Sequence, residues 1–217
     1  MLKYILAAIT AITSLTFASA ETLTKQTLET GEEVIRFEGD YTEGTSKRLY
    51  DLAKESNLKT VIFTSAGGNA WEGVASAWVM KRLELNAIIE KGTSCMSACA
   101  VTVLGATVVD VNGILGFHPA YLPKPIEDSE QAFKAGQQQG MRDTLFYKEM
   151  GMSRQVVKVI HYFGSPTEFF IINNNIDYYR MFDSVEDPFD DYELLSKMWS
   201  SKVIQAYLHF TKEGVTL

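Results

Sequence analysis

The stretch GTSCMSACAVTVLGA, residues 92–106, decides how the chain reads. It sets Ser97 between Cys95 and Cys99, where a turn of small residues runs into an apolar segment without a charge. An apolar segment of that kind is a buried helix, and it begins near Ser97. Read for backbone alone, Ser97 caps this helix, the pair Gly67–Gly68 in FTSAGGNAWEG (63–73) makes a turn, and His118 in GILGFHPA (113–120) ends a strand. Read for chemistry, the same three features are a nucleophile, an oxyanion-binding turn and a base.

Upstream, VIRFEG (34–39) and TVIFTS (60–65) read as strands, with TSKRLYDLAKES (45–56) between them as a helix turning Leu49, Leu52 and Ala53 inward. WEGVASAWVMKRLE (71–84) repeats Trp71, Val74, Ala75, Trp78 and Val79 at helical spacing, and NAIIEKG (86–92) is the next strand. Alternation of this kind is the signature of an α/β domain, and it makes Gly67 and Ser97 follow successive parallel strands. Open α/β sheets hold their sites at the carboxyl ends of strands, so both belong on one rim.

Downstream, TVVDVNGILGFH (107–118) gives two strand pieces joined at Asn112–Gly113, a hairpin signal, and the second piece delivers His118. PAYLPKPIEDSEQ (119–131) is a proline-rich loop. A long helix over about Ser129 to Met150 contains Gly136, Gly140 and the polar run GQQQG, which suits a projecting element or one packed on a partner better than a core helix. SRQVVKVIHYF (153–163) is a helix capped by Ser153, PTEFFIIN (166–173) an edge strand entered through a proline, and residues 190–212 a final helix.

The first twenty residues, MLKYILAAITAITSLTFASA, carry Lys3 as their only charge, an apolar stretch to Phe17 and Ala18-Ser19-Ala20 as an A-x-A cleavage site before Glu21. They read as a signal peptide, which makes the expected location periplasmic or secreted. Residues 21–189 then form one α/β domain and residues 190–217 a C-terminal helical extension. No second apolar segment is long enough to span a bilayer. The formal charge of −7 becomes one unit more negative when Lys3 is removed, and with no cluster of Lys and Arg a nucleic-acid partner is excluded.

Cys95 and Cys99 are the two cysteines. One helical turn brings their Cα atoms to about 6 Å, so they form either a disulfide in an oxidising compartment or two small buried thiols. Their spacing does not make a metal set, and the chain has no G-x-x-x-x-G-K-[ST] loop, so neither metal nor cofactor is expected. The acidic run DSVEDPFDDYE (183–193) lacks EF-hand spacing and reads as a solvated loop. His161 and His209 are accounted for by helix packing and dipole.

A serine hydroxyl needs a base to take its proton and N–H donors to stabilise the oxyanion that forms. The N–H of Ala98 at the start of the buried helix supplies one donor, and the glycine pair, able to approach a substrate closely, supplies another.

FTSAGGNAWEG, GTSCMSACA and GFHPA, in this order and at these separations, resemble the Clp protease proteolytic subunit and its relatives in the crotonase-like superfamily. They are similar above all to secreted ClpP-like periplasmic proteins of bacteria, whose nucleophile segment reads Cys-x-Ser-Ala-Cys. The resemblance spans about residues 34–186. It implies repeated β-β-α units with a mainly parallel sheet and a C-terminal helix. It also implies Ser97 as nucleophile, His118 as general base, and the N–H groups of Gly67 or Gly68 and of Ala98 as oxyanion hole. The orienting acid falls on Glu168 in PTEFF, where the family usually carries aspartate, and Ala66 stands at the family's proline. A peptide or protein substrate is implied, and a homo-oligomer is one expectation.

Three function classes follow. The first is an exported serine peptidase working through an acyl-enzyme. The second is an inactive ClpP-like protein that binds peptide or serves as a scaffold. The third, an acyl-CoA enzyme of the crotonase type, fares worst, because an exported chain has no evident CoA supply and that chemistry does not call for a Ser-His pair. A serine-lysine variant using Lys124 would leave His118 without a purpose.

Overall fold

Two sheets meet beside Ser97. The computed structural model describes residues 21–121, 126–163, 167–182 and 198–200. In the first sheet, strands β1 (Thr22–Thr27), β2 (Glu33–Glu38), β3 (Thr60–Thr64), β4 (Asn86–Ile89) and β6 (Val109–Val111) lie in the order β1-β2-β3-β4-β6. β1 runs antiparallel to β2, and the other pairings are parallel. The second sheet has β5 (Ser94–Met96), β7 (Ile114–Phe117), β8 (Glu168–Ile172) and β9 (Met198–Ser200) in the order β5-β7-β8-β9. Here β5 and β7 are parallel, while β7/β8 and β8/β9 are antiparallel. The chain is thus α/β with mixed pairing, and a parallel bridge between Ser65 and Cys95 joins the sheets.

Helix α1 (Thr45–Ser56) turns Leu49 and Ala53 into the core between β2 and β3. Helix α2 (Ala70–Leu83) starts at Asn69, whose side chain accepts from the N–H groups of Trp71 and Glu72. Its inward face differs from the one that hydrophobicity selects. Gly73, Ser76, Ala77 and Met80 are buried, whereas Trp71 is 57% and Trp78 44% exposed. The cause is the close approach of the segment from Ala98 to Gly105: a Cβ on Gly73 would fall 2.6 Å from the Ala98 carbonyl oxygen. No side chain fits at Gly73, so the small-residue face of α2 packs inward and the tryptophans point outward.

Helix α3 (Ala98–Val103) is buried along its length, save for the half-buried Val101. α4 (Ser129–Glu149), α5 (Arg154–Phe163) and α6 (Asn175–Arg180) follow. The main core gathers Phe37, Phe63, Met80, Leu115, Phe117 and Phe170. A smaller cluster of Met96, Ile114, Phe169 and Ile171 covers the other face of the second sheet. Alternation along β8 supplies both, Phe170 and Ile172 to one face and Phe169 and Ile171 to the other.

Three further expectations are corrected. Asn112–Gly113 does not turn a hairpin: both N–H groups donate to the Ile89 carbonyl, at 2.8 and 3.0 Å, and the chain leaves β6 in one sheet to enter β7 in the other. β8 is not an edge strand, because β7 and β9 flank it. Within the span assigned to a final helix, residues 198–200 are extended and pair with β8. The remainder of that span with His209, the signal segment 1–20, the acidic run 183–193 and Lys124 lie outside the described residues. Among the described residues no helix is long and apolar enough to cross a membrane.

Candidate active site

The site is assembled where β3 and β5 end side by side. Ser65 donates its N–H to the Ser94 carbonyl at 2.8 Å, and Met96 donates to the Ser65 carbonyl at 2.9 Å. Gly67 and Gly68 follow with φ of 109° and 128°, values that side-chain-bearing residues rarely adopt. The turn is anchored to Tyr41, which donates to the Gly67 carbonyl at 2.7 Å and accepts from Asn69 at 2.9 Å. Gly67 is also required by contact, since a Cβ there would stand 2.6 Å from the Ser97 Cβ.

Ser97 occupies φ 56° and ψ −120°, outside the regions open to most residues. Such a conformation costs on the order of 1–3 kcal/mol and persists only when neighbours enforce it. Three restraints act here. The Ser97 N–H donates to the Gly116 carbonyl at 2.8 Å, Val101 donates to the Ser97 carbonyl at 3.0 Å, and Cys95 and Cys99, with Cα atoms 5.1 Å apart, are joined by a disulfide spanning the serine. The hydroxyl makes no capping bond to the helix, so the purely structural reading of Ser97 as an N-cap is corrected.

That hydroxyl lies instead 2.6 Å from Nε2 of His118. The register of β7 against β5 brings them together, because Met96 pairs with Gly116 and each partner residue follows shortly after. The imidazole is 7% exposed, stands edge-on to Phe169 with ring centroids 4.7 Å apart, and lies near Tyr121 at 5.6 Å. Burial holds its pKa below the ordinary histidine value, with a smaller opposing pull from the Pro119 backbone. Among the described residues no side chain partners its buried Nδ1.

Glu168 is not that partner. It is the exposed first residue of β8, and strand alternation sends it to the face opposite Phe169, the neighbour that does touch His118. The structure therefore brings Ser97, His118, Gly67, Gly68 and Ala98 to one rim and leaves Glu168 off it.

Between the two glycines, the N–H groups are not equivalent. Gly67 donates to the Ser65 hydroxyl at 3.0 Å. The bridge to Tyr41 uses the Gly67 carbonyl and the Asn69 N–H, and so does not engage the N–H of Gly68. Ala98 is the first helical residue, and its N–H has no acceptor within the helix.

A cavity of about 970 Å³ opens over the pair, walled by Ala66, Gly68 and Trp71 on one side and by α4 on the other. A smaller one of about 70 Å³ lies beside it, lined by Val74, Val101 and Phe146. Sequence reasoning missed two residues of the larger cavity, Asp143 on α4 and His161 on α5. Burial pushes the Asp143 carboxyl above the usual aspartate value, opposed by Gln139, which donates to it at 2.8 Å, by His161 and by the Ala120 backbone. His161 is lowered by burial, opposed by Asp143. The polar run GQQQG inside an otherwise amphipathic helix was the available signal for this wall.

No group of three or more His, Cys, Asp or Glu side chains able to hold a metal occurs among the described residues. No protein-family model matches the chain, and no curated protein matches it. Among solved structures, the chain is similar to a mutant form of the 1510-N membrane-bound stomatin-specific protease. The two share 15% identity with a TM-score of 0.45, over 75% of this chain and 81% of that one. Likeness at that level leaves the chemistry of the site to its geometry.

Proposed function

We propose that this protein is an exported serine peptidase of ClpP-like fold that cleaves peptide bonds through an acyl-enzyme on Ser97. The observation that carries the reading is the 2.6 Å contact between Ser97 Oγ and His118 Nε2, made by a serine held at positive φ just before a buried helix. A strained strand-to-helix turn of this sort projects a hydroxyl away from its own backbone and toward a base.

In the reaction, Oγ attacks the scissile carbonyl carbon while Nε2 accepts the hydroxyl proton. The carbonyl oxygen becomes an oxyanion, received by the N–H groups of Gly68 and Ala98. His118 then returns the proton to the leaving amine, the C–N bond breaks, and water repeats the sequence to release the acyl group. Among the described residues no carboxylate reaches Nδ1; with none there, the imidazolium is stabilised less than in a full triad and a slow enzyme is expected. The cleavable segment 1–20 and the disulfide, which persists in oxidising compartments, support export.

The lack of a carboxylate on Nδ1 among the described residues favours one second reading, a relative that binds peptide without cutting it. Incubation of residues 21–217 with an unstructured peptide library, analysed by mass spectrometry, separates the two. Cleavage that falls at least about a thousand-fold in Ser97→Ala supports the peptidase. An intact library retained on the protein would favour the binding reading.

A further inference from the structure

Asp143 lines both cavities beside Ser97, and it is the one carboxylate among the described residues of the larger wall. No lysine or arginine is among those described lining residues. Arg142, next in sequence, borders only the smaller cavity, where its guanidinium carbon lies 5.3 Å from the Trp71 ring centroid. The hydrogen-bond partner shown for Asp143 is a neutral amide, Gln139 Nε2 at 2.8 Å. A half-buried carboxylate with neutral partners is costly unless a cation completes it.

The surroundings offer one further acceptor. Gln139 spends its amide N–H on Asp143 and keeps its carbonyl oxygen. His161 contributes to the wall with its ring edge-on to Tyr147 at 6.1 Å. A carboxylate and an amide oxygen side by side match the donors of an ammonium or the fork of a guanidinium.

We propose that the α4–α5 end of the cavity is a specificity pocket for a cationic side chain, lysine or arginine, adjoining the bond that Ser97 attacks. Asp143 is its specificity-determining residue, with Gln139 beside it on α4 and the His161 ring in the wall. The chain's overall formal charge of −7 acts in the same direction by drawing cationic peptides to the surface. This inference rests on Ser97 being the nucleophile, and its test must separate the two claims.

Two peptidyl phosphonate probes that differ only in carrying lysine or norleucine at the residue whose carbonyl the phosphonate replaces supply that test. Rates of Ser97 labelling are compared in residues 21–217. The lysine probe should react at least about ten-fold faster, a preference of about 1.4 kcal/mol. In Asp143→Asn the ratio should fall to about one, and in Asp143→Lys it should invert. A merely structural role for Asp143 would lower both rates together and keep their ratio. Equal rates, or a faster norleucine probe, in the unmodified protein overturn the pocket and leave Ser97 as nucleophile. Failure of Ser97 to react with any phosphonate, a simple fluorophosphonate included, overturns the reading beneath it.

Discussion

Ser97 Oγ and His118 Nε2 stand 2.6 Å apart although 21 residues separate them in sequence. The parallel pairing of β5 with β7 produces the contact, and the positive φ of Ser97 aims it. A fold indifferent to chemistry has no need for a serine in that conformation, since glycine would adopt it without strain.

Glu168→Gln should leave the rate of Ser97 acylation within about two-fold of the unmodified protein, because the carboxylate is exposed and on the face away from His118. The check is labelling kinetics on the folded variant. A loss near the roughly 10⁴-fold seen when a triad aspartate becomes an amide would restore Glu168 as the orienting acid.

Gly67→Ala should damage both fold and site. Its Cβ would meet Ser97 Cβ at 2.6 Å and the Met96 carbonyl oxygen at 2.9 Å, at a φ of 109°. A destabilisation of about 2 kcal/mol or more and loss of acylation are expected. Gly136→Ala, with nothing within 4 Å and a place inside α4, should raise stability by up to about 1 kcal/mol. Denaturant melts of both variants decide this, and a neutral Gly67→Ala would contradict the packing described.

Acylation should depend on pH through His118. Neutral imidazole is the base, and burial lowers its pKa from 6.5, so the rate should rise with pH through a midpoint below 6.5. The same group ties stability to pH. With the folded pKa lower than the unfolded one, its contribution is present above the unfolded value and is lost as pH falls through the folded one. A midpoint above 6.5 would contradict this environment.

Export predicts a mature chain starting at Glu21. In the fold that residue is anchored, its carboxylate accepting from the Thr42 hydroxyl at 2.7 Å and pairing with Arg48. N-terminal sequencing of protein from the cell envelope should return Glu21, and an intact Met1 in the membrane fraction would contradict it.

Much of the rim was legible in the sequence because local signals carry it. The glycine pair, the charge-free helix after Ser97 and the strand ending at His118 each follow from short-range chemistry. What was not legible depends on tertiary contact. Asn112–Gly113 has the composition of a hairpin, yet the Ile89 carbonyl captures both N–H groups and the strands part into different sheets. Trp71 and Trp78 have core chemistry, yet the closeness of Ala98 to Gly73 turns the small-residue face of the helix inward. Glu168 was assigned through a family resemblance, and a strand's period of two places it on the wrong face. Asp143 went unnoticed because a single carboxylate in a polar helix gives no sign of the cavity it faces.

The central claim is that Ser97 is a nucleophile activated by His118. Purified residues 21–217 treated with a fluorophosphonate, digested and mapped by mass spectrometry, test it most directly. The predicted result is one phosphonylated residue, Ser97, with labelling abolished in Ser97→Ala and slowed at least about a hundred-fold in His118→Ala while both variants remain folded. Unlabelled Ser97 in the folded protein, or labelling at an unchanged rate in His118→Ala, would contradict it.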